Sequence, residues 1–184
     1  QGGLTMEFQK LIETRRTVRK YAADSEVTRE QMETLIHAAQ EAPSWKNSQT
    51  GRYYCVLSRE IVDKIRATCL PGAGNAGKSE NAALIVTNFV HDRAGFQKDG
   101  TADNELGNGW GCYDLGLQNE NLILKAEDLG LSTLIMGIRE SDKLRELLDI
   151  PETETVVSVI AVGKAAESPA RPPRKELDVI AKFF

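Results

Sequence analysis

Apolar residues recur three and four apart in several stretches, and continuous apolar runs separate them, so helices and strands are predicted in a mixed order. Phe8, Leu11 and Ile12 predict a short helix over Met6 to Arg16. Thr28 followed by Gln31 reads as a capping box opening a helix whose stripe is Met32, Leu35, Ile36 and Ala39, with Pro43 marking its end. Arg52 to Ser58 reads as a buried strand, and Ser58 as the cap of a helix holding Ile61, Val62, Ile65 and Cys69. Gly72 to Lys78 is a loop, and Ala82 to Val90 a second strand. The polar stretch His91 to Gly109 has no period, and loops of that length are usually functional, so it is the candidate lid.

Trp110 to Leu129 is the longest predicted helix, with a seam of Cys112, Leu115, Asn119, Leu122, Ala126 and Leu129. Tyr113, Leu117 and Leu124 form a second stripe, which requires cover on more than one side, from the core or from a second subunit. Thr133 to Ile138 is a short apolar run, Ser141 is expected to cap a helix, and Thr155 to Val162 reads as a strand buried on both faces. Beyond Gly163 three prolines, Pro169, Pro172 and Pro173, exclude a regular helix or central strand and predict an extended arm. The pattern fits one α/β or α+β domain over residues 1–184, a sheet flanked by helices, with residues 1–5 expected outside the folded unit and 164–184 forming the arm.

Composition narrows the function. Apolar residues make up 41% and charged residues 27%, which is ordinary globular usage. The net charge of −4 and a pI near 5.4 argue against a general nucleic-acid binder. The chain shows neither a long apolar run nor a leader pattern, so a cytoplasmic protein is expected. Cys55, Cys69 and Cys112 are widely spaced and fit reduced thiols, and with only His37 and His91 an imidazole metal site is not expected.

Four segments carry candidate chemistry. Gly72 to Ser79, G-A-G-N-A-G-K-S, matches the phosphate-cradling P-loop pattern, which implies a phosphotransferase using Lys78 and Ser79. A P-loop needs a strand before it and a helix after it; here that order is reversed, so a surface turn is the expected use. Arg15, Arg16, Thr17 and Arg19 crowd one helix end, and Arg171, Arg174 and Lys175 lie on the stiffened arm. Each cluster alone fits a solvated surface; together they offer bidentate donors to a phosphate monoester, if the chain ends meet. Ala42 to Gln49, A-P-S-W-K-N-S-Q, reads as a helix-to-strand loop, but its amides and hydroxyls also match a pyrimidine edge.

R-R-T-V-R (15–19), A-P-S-W-K-N-S-Q (42–49), D-L-G-L-Q-N-E-N-L-I-L-K-A-E-D-L-G-L-S-T (114–133) and P-P-R-K-E-L (172–177), taken in this order, resemble FMN-dependent nitroreductase-like proteins from about Met6 to Leu177. That resemblance implies an α+β three-layer fold with a mostly antiparallel central sheet, in an intertwined homodimer binding FMN at the subunit interface. It implies that Arg15 and Thr17 hold the flavin phosphate, Arg19 faces the N1/O2 edge, and Pro43, Ser44 and Asn47 approach the ring system, with Arg16 and Gln49 also among the cofactor-binding residues. Met136 and Gly137 would offer a backbone N–H near flavin N5, and Arg174 and Lys175 would close on the phosphate. The implied activity is that of an FMN oxidoreductase passing a hydride from NADH or NADPH through flavin N5 to an electron-poor acceptor such as a nitroaromatic or quinone. No nucleophile, catalytic dyad or metal is called for. A non-catalytic flavin-binding protein is the other reading of the same boxes.

The chain departs from the family pattern at three places. Gln49-Thr50-Gly51 stands where many relatives have Gln-Pro-Trp, Thr17 where serine is usual, and Leu134 where an aromatic residue is common. The first and third bear on the pocket wall.

Overall fold

A computed structural model describes residues 7–184; Met6, and the expectation for residues 1–5, lie outside the described residues. Helix α1 spans Phe8–Thr14 and α2 Arg29–Gln40. The capping box is present, with the Thr28 hydroxyl accepting from Gln31 N at 3.1 Å and the Gln31 side chain accepting from Thr28 N at 3.0 Å. One 3-10 turn, Trp45–Asn47, leads to strand β1, Gly51–Val56. Helix α3 (Arg59–Thr68) starts under the Ser58 cap, and a single helical turn, α4 (Asn75–Lys78), forms inside the Gly72 to Lys78 loop. Then come β2 (Ala83–Val90), α5 (Gly109–Asp128), β3 (Ser132–Met136), α6 (Ser141–Leu148), β4 (Glu154–Gly163) and a short α7 (Leu177–Ile180) that interrupts the otherwise irregular arm.

The four strands form one antiparallel sheet in the order β1-β2-β4-β3. Because β2 and β4 are central, both read as nearly unbroken apolar runs, and Leu84, Ile85, Val86, Ile160 and Ala161 are fully buried. Alternation along the strands feeds two cores. On one face Val62 and Ile65 of α3 and Leu144 of α6 pack on Leu84, Val86 and Val159. On the other, Met32, Leu35 and Ala39 of α2 and Leu122, Ile123 and Ala126 of α5 pack on Ile85 and Ile160. Each such side chain contributes roughly 1.5–3 kcal/mol by leaving water, so the three-layer arrangement expected from the sequence is the one the pattern stabilises.

Three details differ from the sequence reading: the strand expected to be buried at 52–58 is the edge strand β1, in which only Val56 is buried, and the other two lie in α6 and α5. Glu140, not Ser141, is the N-cap of α6, and its side chain makes no capping bond; Ser141 is already the first helical residue. In α5 the expected seam residue Cys112 is exposed, while Gly111, Asp114 and Gln118 face inward. The Phe89 ring explains the glycine: a Cβ at position 111 would sit 2.2 Å from its Cδ2. Of the second stripe, Tyr113 and Leu117 stay exposed on the outer side of α5 within this chain, while Leu124 is buried.

Candidate functional site

The basic box begins where α1 stops. Arg15 is the C-cap of α1, and the Arg16 guanidinium donates to the Glu13 carbonyl at 2.7 Å and to the Arg15 carbonyl at 2.9 Å. The chain then runs along the outer edge of β3: Thr17 bridges Thr133 in parallel, and Val18 N donates to Thr133 O at 3.1 Å. Buried Val18 and Tyr21 anchor this segment, leaving Arg15, Arg16 and Thr17 half-buried and Arg19 exposed. Burial raises the Tyr21 phenol well above its ordinary value, and its hydroxyl donates to Val18 O.

The C-terminal arm starts beside this box. Ala22 N donates to Lys164 O, Ala166 N to Lys20 O, and Arg19 N to the Glu167 carboxylate at 2.6 Å. The segment that follows the basic box is therefore tied to residues 164–167 at the start of the arm. Arg174 and Lys175 lie farther out on the exposed arm, where Arg174 donates to the Pro172 and Pro173 carbonyls. Met136 and Gly137 terminate β3, the strand whose edge carries the basic box; Met136 is buried, and Gly137 is exposed with open space around it.

A second group gathers around residues 42–50, at the mouth of β1. Lys46, Asn47 and Gln49 all have left-handed backbones, with φ of 46°, 53° and 49°. Three non-glycine residues in that region within four positions store strain, which persists only where the surroundings hold it. The bonds that do so are Trp45 N to the Asp114 carboxylate at 2.9 Å, Gln49 N to Ser44 Oγ at 3.1 Å and Ser48 N to Trp45 O at 2.8 Å. Asp114 is buried on α5, and burial lifts its carboxyl above the ordinary aspartate range against the opposing pull of the Trp45 N–H. Pro43, Asn47 and Gln49 are exposed, and Ser44 is half-buried.

The same segment holds buried polar atoms with no partner among the described residues: Trp45 Nε1, Ser48 Oγ and Thr50 Oγ1. An unmade hydrogen bond of this kind costs about 1–3 kcal/mol, so three of them lie beside a backbone that is itself strained. Gly51 explains one departure from the family pattern. Gln118 Oε1 would lie 1.9 Å from a Cβ there, so Gln118 occupies the space a tryptophan side chain would need.

His91 to Gly109 is ordered rather than open. Asp92 and Asn108 close its base reciprocally, Asp92 N donating to Asn108 Oδ1 at 2.8 Å and Asn108 Nδ2 to Asp92 Oδ1 at 2.9 Å. Inside, Phe96 bridges Ala102, and Asp103 N donates to Gly95 O. Such a closed, self-packed excursion is an Ω-loop. It reaches residues 42–50 through Trp110, whose ring centroid lies 4.7 Å from that of Trp45, and through Lys46 Nζ, 3.9 Å from Asp103.

The P-loop match behaves differently. It follows helix α3 and precedes strand β2, Lys78 Nζ donates to Ala73 O, and fully buried Ser79 donates to Asn75 O at 2.7 Å. Its donors are spent on its own backbone.

A family model described as Nitroreductase family matches residues 12–164. The chain belongs to the nitroreductase family. Among relatives, an Archaeoglobus fulgidus protein with the provisional name NADH dehydrogenase/NAD(P)H nitroreductase is 31% identical over 85% of this chain and 84% of its own length. The NADPH-flavin oxidoreductase of Vibrio harveyi is 30% identical over 90% of this chain and 68% of its own. A provisionally named nitroreductase from Exiguobacterium sibiricum, solved in complex with FMN, shares the fold at a TM-score of 0.81 and 21% identity over the whole of both chains.

Asp114, Trp110 and Asp103 are site residues that the sequence reading assigned no role. A buried-face signal existed for one of them: Asp114 lies three and four residues from Gly111 and Gln118 on the inward side of α5.

Proposed function

We propose that this chain is an NAD(P)H-dependent FMN oxidoreductase that delivers electrons to an electron-poor acceptor such as a nitroaromatic or a quinone. The observation that carries this reading is the strained 44–50 segment with its unpartnered buried donors, in a chain of the nitroreductase family. The donor set fits the cofactor: guanidiniums and a hydroxyl suit a phosphate, and amide and hydroxyl groups suit a pyrimidine edge. The FMN complex of the Exiguobacterium relative and the flavin named in that of Vibrio support the same choice.

In this reading Arg15, Arg16 and Thr17, with Arg174 and Lys175 from the arm, bind the phosphate, and Arg19 brings positive charge to the pyrimidine edge. Ser44, Asn47 and Gln49 hydrogen-bond the ring system beside Pro43, and the backbone at Met136 and Gly137 donates to its reactive side. Bound FMN supplies two-electron transfer; the protein supplies orientation, charge and exclusion of water. Arg19 favours the anionic reduced form by charge alone.

The site is completed by a second copy. Within this chain the basic box shares an edge with β3, whereas the 42–50 segment sits with the Ω-loop at the start of β1. A homodimer that joins these two groups across its interface accounts for the exposed apolar residues Leu177, Val179, Ile180 and Phe183 of the arm. It also accounts for the outer edge of β1, which borders a cavity of about 560 Å³ where Met32, Ile36 and Leu57 lie alongside Arg29, Glu33 and His37. The three free cysteines fit a reducing cytoplasm, and no helix among the described residues is long and apolar enough to cross a membrane.

Absorbance spectra of the purified protein, before and after NADH or NADPH, provide the test. A yellow dimer bleached by one of the nicotinamides is expected, and Arg19→Ala should lower FMN retention or shift the flavin midpoint potential. A colourless protein that takes up no added FMN would overturn the reading, and a flavin that neither nicotinamide bleaches would reduce it to flavin binding.

A further inference from the structure

Trp45, Trp110 and Tyr113 form a continuous chain of rings, with centroid separations of 4.7 Å and 5.5 Å and interplanar angles of 47° and 66°. Each member is held differently. Trp45 is fixed through its backbone N–H to buried Asp114. Trp110 is fixed through its indole N–H, which donates to Asn104 Oδ1 at 2.8 Å inside the Ω-loop. Gly95, with φ +83°, makes room for it, since a Cβ there would meet Trp110 Cδ1 at 2.5 Å. Tyr113 is the outer member and is 60% exposed. The indole N–H of Trp45 is buried without a partner, so packing fixes its ring while leaving one donor unused.

We infer that this ring chain is the specificity-determining wall of the acceptor site, with Trp45 contacting a flat aromatic acceptor and Trp110 acting as a positioning residue that holds Trp45 in place. The inference rests on the flavin reading, because it needs residues 44–49 beside the cofactor. The physical reason is the quadrupole of the tilted and edge-on rings, which rewards a planar aromatic guest and offers little to a compact non-aromatic one. Lys46 Nζ lies 3.9 Å from Asp103, which ties the residue next to Trp45 to the Ω-loop. The Ω-loop thereby selects the acceptor through Trp110 and Asp103 and takes no part in the electron transfer.

The test uses the FMN-loaded protein with three acceptors: a naphthoquinone, a nitroaromatic and ferricyanide. For Trp45→Ala, the ratio of kcat/KM for the naphthoquinone to that for ferricyanide should fall about five- to tenfold, mainly through KM. Trp110→Ala should shift the ratio in the same direction, and Trp110→Phe should restore it. Titration with a non-reducible naphthalene carboxylate, followed by tryptophan fluorescence, should show quenching that Trp45→Phe preserves and Trp45→Leu abolishes. A wild-type chain that takes up no FMN removes the flavin reading. A chain that holds FMN but loses aromatic and ferricyanide turnover in equal proportion, or keeps the wild-type ratio in Trp45→Leu, overturns this inference alone.

Discussion

Residues 44–50 and 72–79 look alike at first sight. Both are short, polar connections between a helix and a strand, and both bend through left-handed backbone, at Lys46, Asn47 and Gln49 in one and Ala73 and Gly74 in the other. They part company in their hydrogen bonds. In 72–79 the lysine and serine that would serve a phosphate are consumed by the loop's own carbonyls. In 44–50 three buried polar atoms go without partners although the backbone is pinned on three sides. A turn that satisfies itself is finished when the chain folds, whereas each unpartnered atom of 44–50 carries a desolvation cost that the fold leaves uncompensated. The shape of a motif says less about ligand binding than this account of its polar atoms.

The sharpest way to break the contrast is through glycines that support each region. Gly95→Ala would force a Cβ into Trp110 at a left-handed position and should destabilise the protein by about 3 kcal/mol. Gly77→Ala, in open space inside the one-turn helix of the other loop, should be neutral or stabilising by up to about 1 kcal/mol. Urea unfolding of the apo-protein measures both, and equal effects would remove the idea that the Ω-loop is firmly built onto Trp110.

Hydroxyl deletions give a smaller effect with opposite signs. Thr50→Val removes a buried oxygen that has no partner and should stabilise the apo-protein by about 1 kcal/mol, whereas Ser79→Ala removes a satisfied one and should cost about the same. A destabilised Thr50→Val would mean that its hydroxyl is already satisfied.

The smallest effect concerns pH. Since burial raises the Asp114 carboxyl, the folded state holds its proton more tightly than the unfolded chain does. The stability from this group is therefore present below the ordinary aspartate pKa, about 3.9, and is lost as pH rises through the raised folded value. Asp114→Asn removes the loss, so the variant should gain on the wild type between roughly pH 4 and neutrality. A difference that stays constant with pH would show that burial does not raise the Asp114 carboxyl.

Much of the scaffold was legible because its signals are local. The Thr28–Gln31 box and the Ser58 cap are decided within four residues, and the unbroken apolar runs of β2 and β4 announce strands covered on both faces. The missed α6 cap is a local competition as well: Glu140 takes the extended backbone, and its side chain adds nothing. What was hidden depends on partners far away in the chain. Asp114 meets Trp45 across 69 positions and Glu167 meets Arg19 across 148, and no periodicity carries either pairing. The basic residues of the first box were visible, but their alignment with β3 follows from burial of Val18 and Tyr21, which propensity alone does not reveal.

The clasp between Asp92 and Asn108 has a consequence for how such a protein changes over time. By joining the two ends of the excursion it fixes where the chain leaves β2 and enters α5, while Gly95 and Asn104 tie the near part of the loop to Trp110. Doubling the intervening stretch would then cost only about 0.6 kcal/mol in closure entropy. Residues 97–101, whose hydrogen bonds run to one another, are where the loop can be lengthened on an unaltered frame.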